Sequence, residues 1–570
     1  MMRLFVCVVV AGCIAAQPTA PPRRVTQKKM PGRVAPAVAP FPWKTAKAVV
    51  DVIAAHLRGR SIYPYLSNAA LSAKMPARLL LSVYRKGGVK RLALYGSTYR
   101  EALLGIRSRL KPGDFRCFRL DQVVRRLPPA DAARAADTLR HGLDALRVFW
   151  RDGRQKILFP DEIVAADMLD VVKWQVVLSV KFSGAAFVVM RVASYLYLDD
   201  GTFLALERLR RVIREVDRRN VETAVKRAAD YLIRNQQKDG LFLYLLYAGR
   251  NRALTGGRLE RHAICATQLL HYGVAFADKE ALEAAGRCIS ALVRRCCRKG
   301  AIVWLREQGT PFARLGPAAV VLLAIARQKE ALKHSPYQKV ADGLARFLLT
   351  MQRKDGSFNT HMDTKTGAMV RRRCRSYAGK AVLALAVAGN AFGRKEWTDA
   401  AVEGMHALFA EEMRRKSSVN VWLLKAASVL HRFLTPQEKQ FCFATADRLV
   451  DSQNRLLGSG YRDYRGAMRL YDGLPSCARD ALLGEGLAAV LALADKEGCK
   501  ERAAKYASSL QDLATFLLRH QFDSVSGHFL AEPQKAFGGF STTLFDTRVR
   551  CDVVAHAIAT LMAALKTWRH

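Results

Sequence analysis

One phrase occurs twice in this chain and limits what the chain can fold into. Residues 229–240 read Ala-Asp-Tyr-Leu-Ile-Arg-Asn-Gln-Gln-Lys-Asp-Gly, and residues 345–356 read Ala-Arg-Phe-Leu-Leu-Thr-Met-Gln-Arg-Lys-Asp-Gly. Each is an amphipathic stretch with helical spacing that stops at Asp-Gly, where Gly supplies a left-handed residue and Asp bonds nearby backbone. Fainter copies end at Gln453 and Gln521. Asp239 and Asp355 lie 116 residues apart, which is two units of 58. A repeat of that length is one helical hairpin stacked on the next.

Filling in the intermediate units predicts six helix ends, near Gln237, Arg294, Gln352, Glu411, Gln453 and Gln521. After each comes a loop and a second helix, beginning near Arg261, Arg314, Arg375, Val419, Arg479 and Arg550. The second helices are apolar on every side, as in residues 318–326, 381–388 and 487–494, so they belong inside, with their amphipathic partners outside. The expected fold is mainly α: an (α/α)6 toroid over residues 221–570, with an open solenoid as the alternative. The Gln-x-x-Asp-Gly-x-Phe phrase of residues 352–358, set in such an array, resembles the α/α-toroid proteins, the six-hairpin glycosidase-like superfamily with its polysaccharide lyases, epimerases and terpenoid cyclases. The resemblance is architectural and selects no single reaction.

Before the repeats, residues 43–76 read as a helical lead-in and 77–203 as a small α/β domain. Within the latter, residues 79–84 form a strand turning into 91–95, 98–110 are helix-like, and 172–182 and 185–195 read as two strands about a tight turn. Residues 1–16 read as a leader whose Val10-Ala11-Gly12-Cys13 resembles a bacterial lipobox, implying a lipid on Cys13; a signal peptide cut after Ala16 is the alternative. Residues 17–42, rich in Pro, Ala, Lys and Arg, read as a flexible basic tether. The expected location is the cell envelope, lipid-anchored or periplasmic.

Charge narrows the partners. With 92 Lys and Arg against 49 Asp and Glu, the formal net charge is +43, which favours an anionic ligand. The basic residues are scattered, and no zinc-finger spacing, RNP-like motif or Walker loop accompanies them, so specific nucleic-acid binding is not expected. An anionic glycan, with the membrane reached through the lipid anchor, fits better.

Polar residues gather at the starts of the otherwise apolar second helices, which a toroid brings around one mouth. The acid/base candidates there are Asp480, Glu485 and Asp552, with His262, His556 and Tyr377. Capping of a helix start is the plain alternative for Asp480 and Asp552, and a satisfied core imidazole for the two histidines. Ligand-binding candidates are Arg261, Arg314, Arg375, Arg479, Arg550 and Trp422. Arginine at a helix start opposes the macrodipole, so five of them suggest a bound polyanion. Cys265, Cys374, Cys477 and Cys551 fall near the same starts, but the adjacent Cys-His pair of the zinc-binding lanthionine cyclases is missing, and no metal or cofactor is expected. The sequence thus leads to an envelope-tethered carbohydrate-active enzyme, hydrolase, lyase or epimerase, on an acidic glycan. A non-catalytic binding or scaffold protein is the alternative.

Overall fold

The computed structural model describes residues 42–568 except 74, 76–77, 168–170, 214–215, 308, 373, 416–418, 458–461 and 469–474. The leader, Cys13 and nearly all of the tether lie outside the described residues. From residue 218 onward, twelve long helices alternate between two layers. Arg218–Arg234, Lys279–Val293, Gln338–Met351, Lys395–Met413, Pro436–Leu457 and Lys500–Leu518 form the outer layer. Leu259–Phe276, Leu315–Leu332, Arg375–Phe392, Val421–Val429, Cys477–Lys496 and Cys551–Thr567 form the inner one. Each inner helix packs on the next, and the sixth packs back on the first, so the ring is closed. This is an (α/α)6 toroid, not an open solenoid.

Residue choice sorts the layers. In Leu315–Leu332 the first twelve residues are all buried, because neighbours contact every side of an inner helix. In Gln338–Met351 the buried residues are Ala341, Gly343, Leu344, Ala345, Phe347, Leu348 and Met351, one stripe of an amphipathic helix.

The recurring Gln is a clamp between hairpins. Gln236 donates through Nε2 to Gly240 O and to Ala284 O of the next outer helix, each at 2.8 Å. Gln352 repeats this with Gly356 O and Ala400 O at 3.2 and 2.9 Å, and Gln453 with Gly466 O and Ser509 O at 2.9 and 3.0 Å. Gln521 donates to Gly538 O at 3.1 Å and, at 2.8 Å, to Ala224 O of the first outer helix, stitching the ring shut. The clamped glycine must be Gly: Gly356 sits at φ +78°, and a Cβ there would lie 2.7 Å from Glu403 O.

The two ends of the barrel are connected differently. At the starts of the inner helices the incoming loops are long, as in 235–258 and 519–550. At the other end an inner helix returns through a short turn, as in 277–278, 393–394 and 497–499.

Ahead of the toroid lies an antiparallel sheet in the order Gly88–Leu94, Leu79–Arg85, Cys117–Arg126, Ala186–Leu198, Asp144–Phe149, Gln155–Leu158. Phe203–Glu207 pairs with the far end of Ala186–Leu198, and Arg210–Arg211 pairs with Phe203–Glu207. Helix Trp43–Leu57 packs its apolar face on Leu79, Leu81 and Val83. Two local expectations are corrected. Residues 171–181 are a helix rather than a strand, because the buried set Trp174, Leu178 and Phe182 recurs every four residues while Val172, Val176 and Val180 stay exposed. The β-branched run imitates a strand, and packing on one face decides otherwise. The 98–110 stretch is helical only over Tyr99–Leu104.

The sheet and its loops dock on the long-loop end of the barrel. Arg116 donates to His528 O and Leu530 O, Arg208 pairs with Asp463, Arg210 reaches Ser541 and the carbonyls of Arg519 and His520, and Asp167 accepts from Thr547. These contacts involve the loops before the fifth and sixth inner helices. That side of the mouth is therefore covered.

Candidate functional site

The lumen carries a belt of charge within the first two or three turns of the inner helices. Glu485, nine residues into Cys477–Lys496, accepts from Lys425 Nζ of the neighbouring helix and lies 2.5 Å from His556 Nδ1 of the other neighbour. Lys380 Nζ reaches Glu260 at 3.4 Å, joining two inner helices that are not adjacent in the ring. Trp422 stacks beneath both cations, with Lys425 Nζ 4.8 Å and Lys380 Nζ 5.3 Å from its ring centre. Burial alone would raise the Glu485 carboxyl, but Lys425 and His556 outweigh it and bring it down to about 2. The carboxylate is ionised and accepts, so the imidazole is fixed with its proton on Nδ1. Nε2 has no protein partner among the described residues, and the ring keeps some exposure.

The five arginines do converge on the long-loop end, each already engaged by a carboxylate of this chain. Arg550 holds Asp552 through Nε at 2.5 Å and Nη2 at 3.0 Å, and Arg261 adds a contact at 3.3 Å to the same carboxylate and another to the Tyr244 hydroxyl. Arg314 pairs with Glu307, Arg375 with Glu412 at 2.6 Å, and Arg479 with Asp480 at 3.1 Å. These internal pairs supply a reason for arginine at a helix start, where the macrodipole disfavours it.

Asp480 and Glu485 lie five residues apart and face different surroundings. Asp480 is fully buried, with Oδ2 accepting from Met468 N of the preceding loop at 3.3 Å. Burial raises its carboxyl to about 7 despite Arg479. His262 is also fully buried: Nε2 donates to Gly256 O at 2.8 Å and Nδ1 accepts from Phe242 N at 3.3 Å, while burial lowers its pKa. Its imidazole pins the loop before its own helix. Tyr377 sits at the belt's edge, its hydroxyl 3.4 Å from Arg314 Nη1. Among the described residues no group of three or more His, Cys, Asp or Glu is placed to hold a metal ion.

Sequence reasoning passed over the belt's cations. Lys380 and Lys425 are single lysines inside apolar runs, Lys380 leading residues 381–388 and Lys425 within Leu424-Lys425-Ala426. A lone charge in a helix that is buried on all sides must find a partner, and that was the available signal. His271 was passed over too. Burial, with Arg327 and Lys425 nearby, pushes its imidazole down to about 3, so it is neutral.

Beyond the belt, toward the short-turn end, the lumen widens into a cavity of about 1160 Å³. Trp422, Lys425, Glu485, His271 and Gln268 line its inner end, and its walls are chiefly alanine, leucine and valine.

No protein-family model matches this chain, and no curated protein matches it. Several solved structures resemble it in part. A cellobiose 2-epimerase from Spirochaeta thermophila DSM 6192 shares 12% identity at a TM-score of 0.47, over 62% of this chain and 97% of that one. A D-mannose isomerase shares 15% at 0.44, over 62% and 98%. A family 76 glycoside hydrolase from a bovine Bacteroides thetaiotaomicron strain shares 7% at 0.43, over 80% and 97%. These neighbours are carbohydrate-active enzymes. The toroid of this chain rests on its own closed ring.

Proposed function

We propose that the toroid is a carbohydrate-active enzyme that transfers a proton at a substrate carbon, as a lyase or epimerase does, with His556 as the base and Glu485 as its orienting partner. The observation that carries this reading is the 2.5 Å contact between His556 Nδ1 and an ionised Glu485, which leaves Nε2 free to accept a proton. The imidazolium formed on proton uptake is stabilised by Glu485, and Lys425 keeps that carboxylate from leaving its place. Hydrolysis by two carboxyl groups is less well supported, since it needs one protonated acid facing the substrate. Glu260, Glu485 and Asp552 each hold a cation, and Asp480, whose carboxyl does titrate near neutrality, is sealed behind Met468.

The net charge of +43 supports an acidic glycan as substrate, drawn by a diffuse field because the mouth arginines are neutralised internally. Incubation with uronate-containing oligosaccharides in deuterium oxide tests the chemistry. The wild type should either place deuterium on a sugar carbon, as an epimerase does, or release an unsaturated sugar with the proton lost to solvent, as a lyase does, and His556→Gln of equal thermal stability should do neither. Cleavage to saturated ends without deuterium uptake, or unchanged turnover by His556→Gln, would overturn the reading. The envelope tether belongs to the same proposal: radioactive palmitate should label the full chain and fail to label Cys13→Ala.

A second reading, a non-catalytic binding or scaffold protein, is favoured by one observation. Every belt carboxylate named above has a cation partner within the chain, as in a network that serves packing alone. Saturable glycan retention with neither deuterium uptake nor an unsaturated product would favour it.

A further inference from the structure

We infer that the short-turn end of the barrel is a binding site for a single long acyl chain with an anionic head, the chain running up the barrel axis and the head at the rim. Ligand pockets usually measure roughly 300–1,000 Å³, and the cavity here, at about 1160 Å³, exceeds that range. Protein interiors are close-packed and leave few voids larger than a water molecule. This barrel leaves one by placing alanine where larger residues would close it, at Ala488, Ala492, Ala503, Ala559 and Ala563 among others. Apolar walls in contact with water forgo roughly 25 cal/mol for each Å² that a hydrocarbon would cover. The six inner helices supply most of the lining, the third through Leu383 alone, and Lys500, Ala503, Ala504 and Ala507 of the last outer helix line one side; the exposed lining residues Asp495, Gly498, Lys500, Ala504 and Lys566 put the opening at the short-turn end. A bore of that kind admits a flexible chain more readily than a folded element.

The rim says which way the ligand points. At this end three large apolar residues stand in solvent: Val274 at 56% exposure, Leu332 at 45% and Phe433 at 51%. Beside them are exposed cations with no ion-pair partner among the described residues; of these, Lys500 and Lys566 line the cavity itself. Asp495 and Glu330 are also on the lining, but Glu330 is paired with Arg327 at 2.6 Å, and Lys500 and Lys566 against Asp495 leave the rim positive. Apolar rim, cationic collar and aliphatic bore together match a fatty acid entering tail first, with its carboxylate held by Lys500 and Lys566. The inner end, where Trp422 and Leu383 meet the belt, sets the depth the tail can reach.

The site lies beyond His556, so its test is separate from that of the proton-transfer chemistry. The full chain is titrated with 11-(dansylamino)undecanoic acid, and the bound probe is displaced with palmitate or hexadecanol. The wild type should show saturable one-site fluorescence, and palmitate should displace the probe. Ala492→Phe with Ala563→Phe should weaken probe binding at least tenfold while keeping the thermal midpoint, since the rings fill space already open. Lys500→Gln with Lys566→Gln should weaken palmitate several-fold and leave hexadecanol unchanged. A folded wild type that binds no probe, or a filled variant that binds as tightly as the wild type, overturns the site. Equal losses of palmitate and hexadecanol in the lysine variant overturn the placement of the head.

Discussion

The same six inner helices build both ends of the barrel, yet the ends differ in nearly every physical respect. Toward the long loops the helices carry ion pairs that join neighbours and reach across the lumen: Lys425 to Glu485, Lys380 to Glu260, Arg261 to Asp552. Toward the short turns they carry alanine and leave a cavity. The charged end is constrained from both sides, by partners within the lumen and by the sheet docked on the loops before the fifth and sixth inner helices. The aliphatic end is constrained by the packing of helix on helix and by a few polar ties at its rim, such as Lys496 Nζ to Ser428 O at 2.8 Å and Lys439 to Glu497 at 2.9 Å. The contrast teaches that the closed ring does not need a filled lumen, because its walls are held by outer helices and by the Gln clamps. What fills each end is then free to serve a ligand.

The comparison is broken most directly by unpairing a belt charge. Glu485→Ala should cost about 3–5 kcal/mol in denaturant unfolding, because it leaves Lys425 partly buried with no carboxylate. Ala563→Leu, at the open end, should change stability by less than about 1 kcal/mol. Similar losses from the two would mean that the ends are not mechanically distinct.

Within the charged end, pH separates the two carboxyls of the fifth inner helix. Asp480 titrates near 7 in the folded chain, above its unfolded value, so its contribution to stability is complete below pH 4 and disappears as pH rises through 7. Glu485 titrates near 2, below its unfolded value, so its contribution is present above about pH 4.5 and is lost as pH falls toward 2. From pH 4 to pH 7.5 the wild type should lose on the order of 3 kcal/mol relative to Asp480→Asn. A difference that does not vary with pH would show that Asp480 is not the buried neutral acid described.

Ring closure itself is sharpened by the clamps. Gln521→Ala removes the bond to Ala224 O that ties the last hairpin to the first and the bond to Gly538 O within its own loop, and should cost about 1–2 kcal/mol. Its effect should appear as faster amide exchange in both Arg218–Arg234 and Lys500–Leu518. Exchange confined to one helix would argue against a shared seam.

Much of this architecture was legible because it follows from period and hydrophobicity. The predicted helix ends at Gln352 and Arg294 fall one residue beyond the observed Met351 and Val293, and the predicted starts at Arg314 and Arg375 fall within one residue of the observed helices. Gln453 and Gln521 were visible as echoes, but their partner glycines, Gly466 and Gly538, were not, because their loops are longer than the four-residue loop at Gln236. The belt was legible in its acids and imidazole but not in its cations. Glu485 and His556 were visible as polar residues in apolar helices, and Asp552, Tyr377 and the arginines stand at helix starts where polarity is conspicuous, whereas Lys380 and Lys425 act on partners of other inner helices, 120 and 60 residues away. Sequence distance hides such pairs. The helix at Val171–Lys181 was misread for a related reason: its valines carry strand propensity, and only the tertiary contacts of Trp174 and Leu178 show which period is used.

The smallest expected effect decides whether the charged end attracts an anion by its geometry or only by its sign. Arg479 and Arg550 look like ligands from their positions, but each is committed to a neighbouring aspartate, and an incoming carboxylate would have to displace Asp480 or Asp552 to use them. Arg371 and Arg372 are exposed and have no ion-pair partner among the described residues. Replacing Arg479 and Arg550 by Gln should therefore lower the unfolding midpoint while shifting elution from an acidic polysaccharide column only slightly. Replacing Arg371 and Arg372 should leave the midpoint alone and lower the eluting salt concentration by the small step that two lost charges imply among 92. If the first pair instead produced the larger loss of retention at unchanged stability, the arginines of the mouth would be acting on the ligand directly, and the field at the charged end would be focused rather than diffuse.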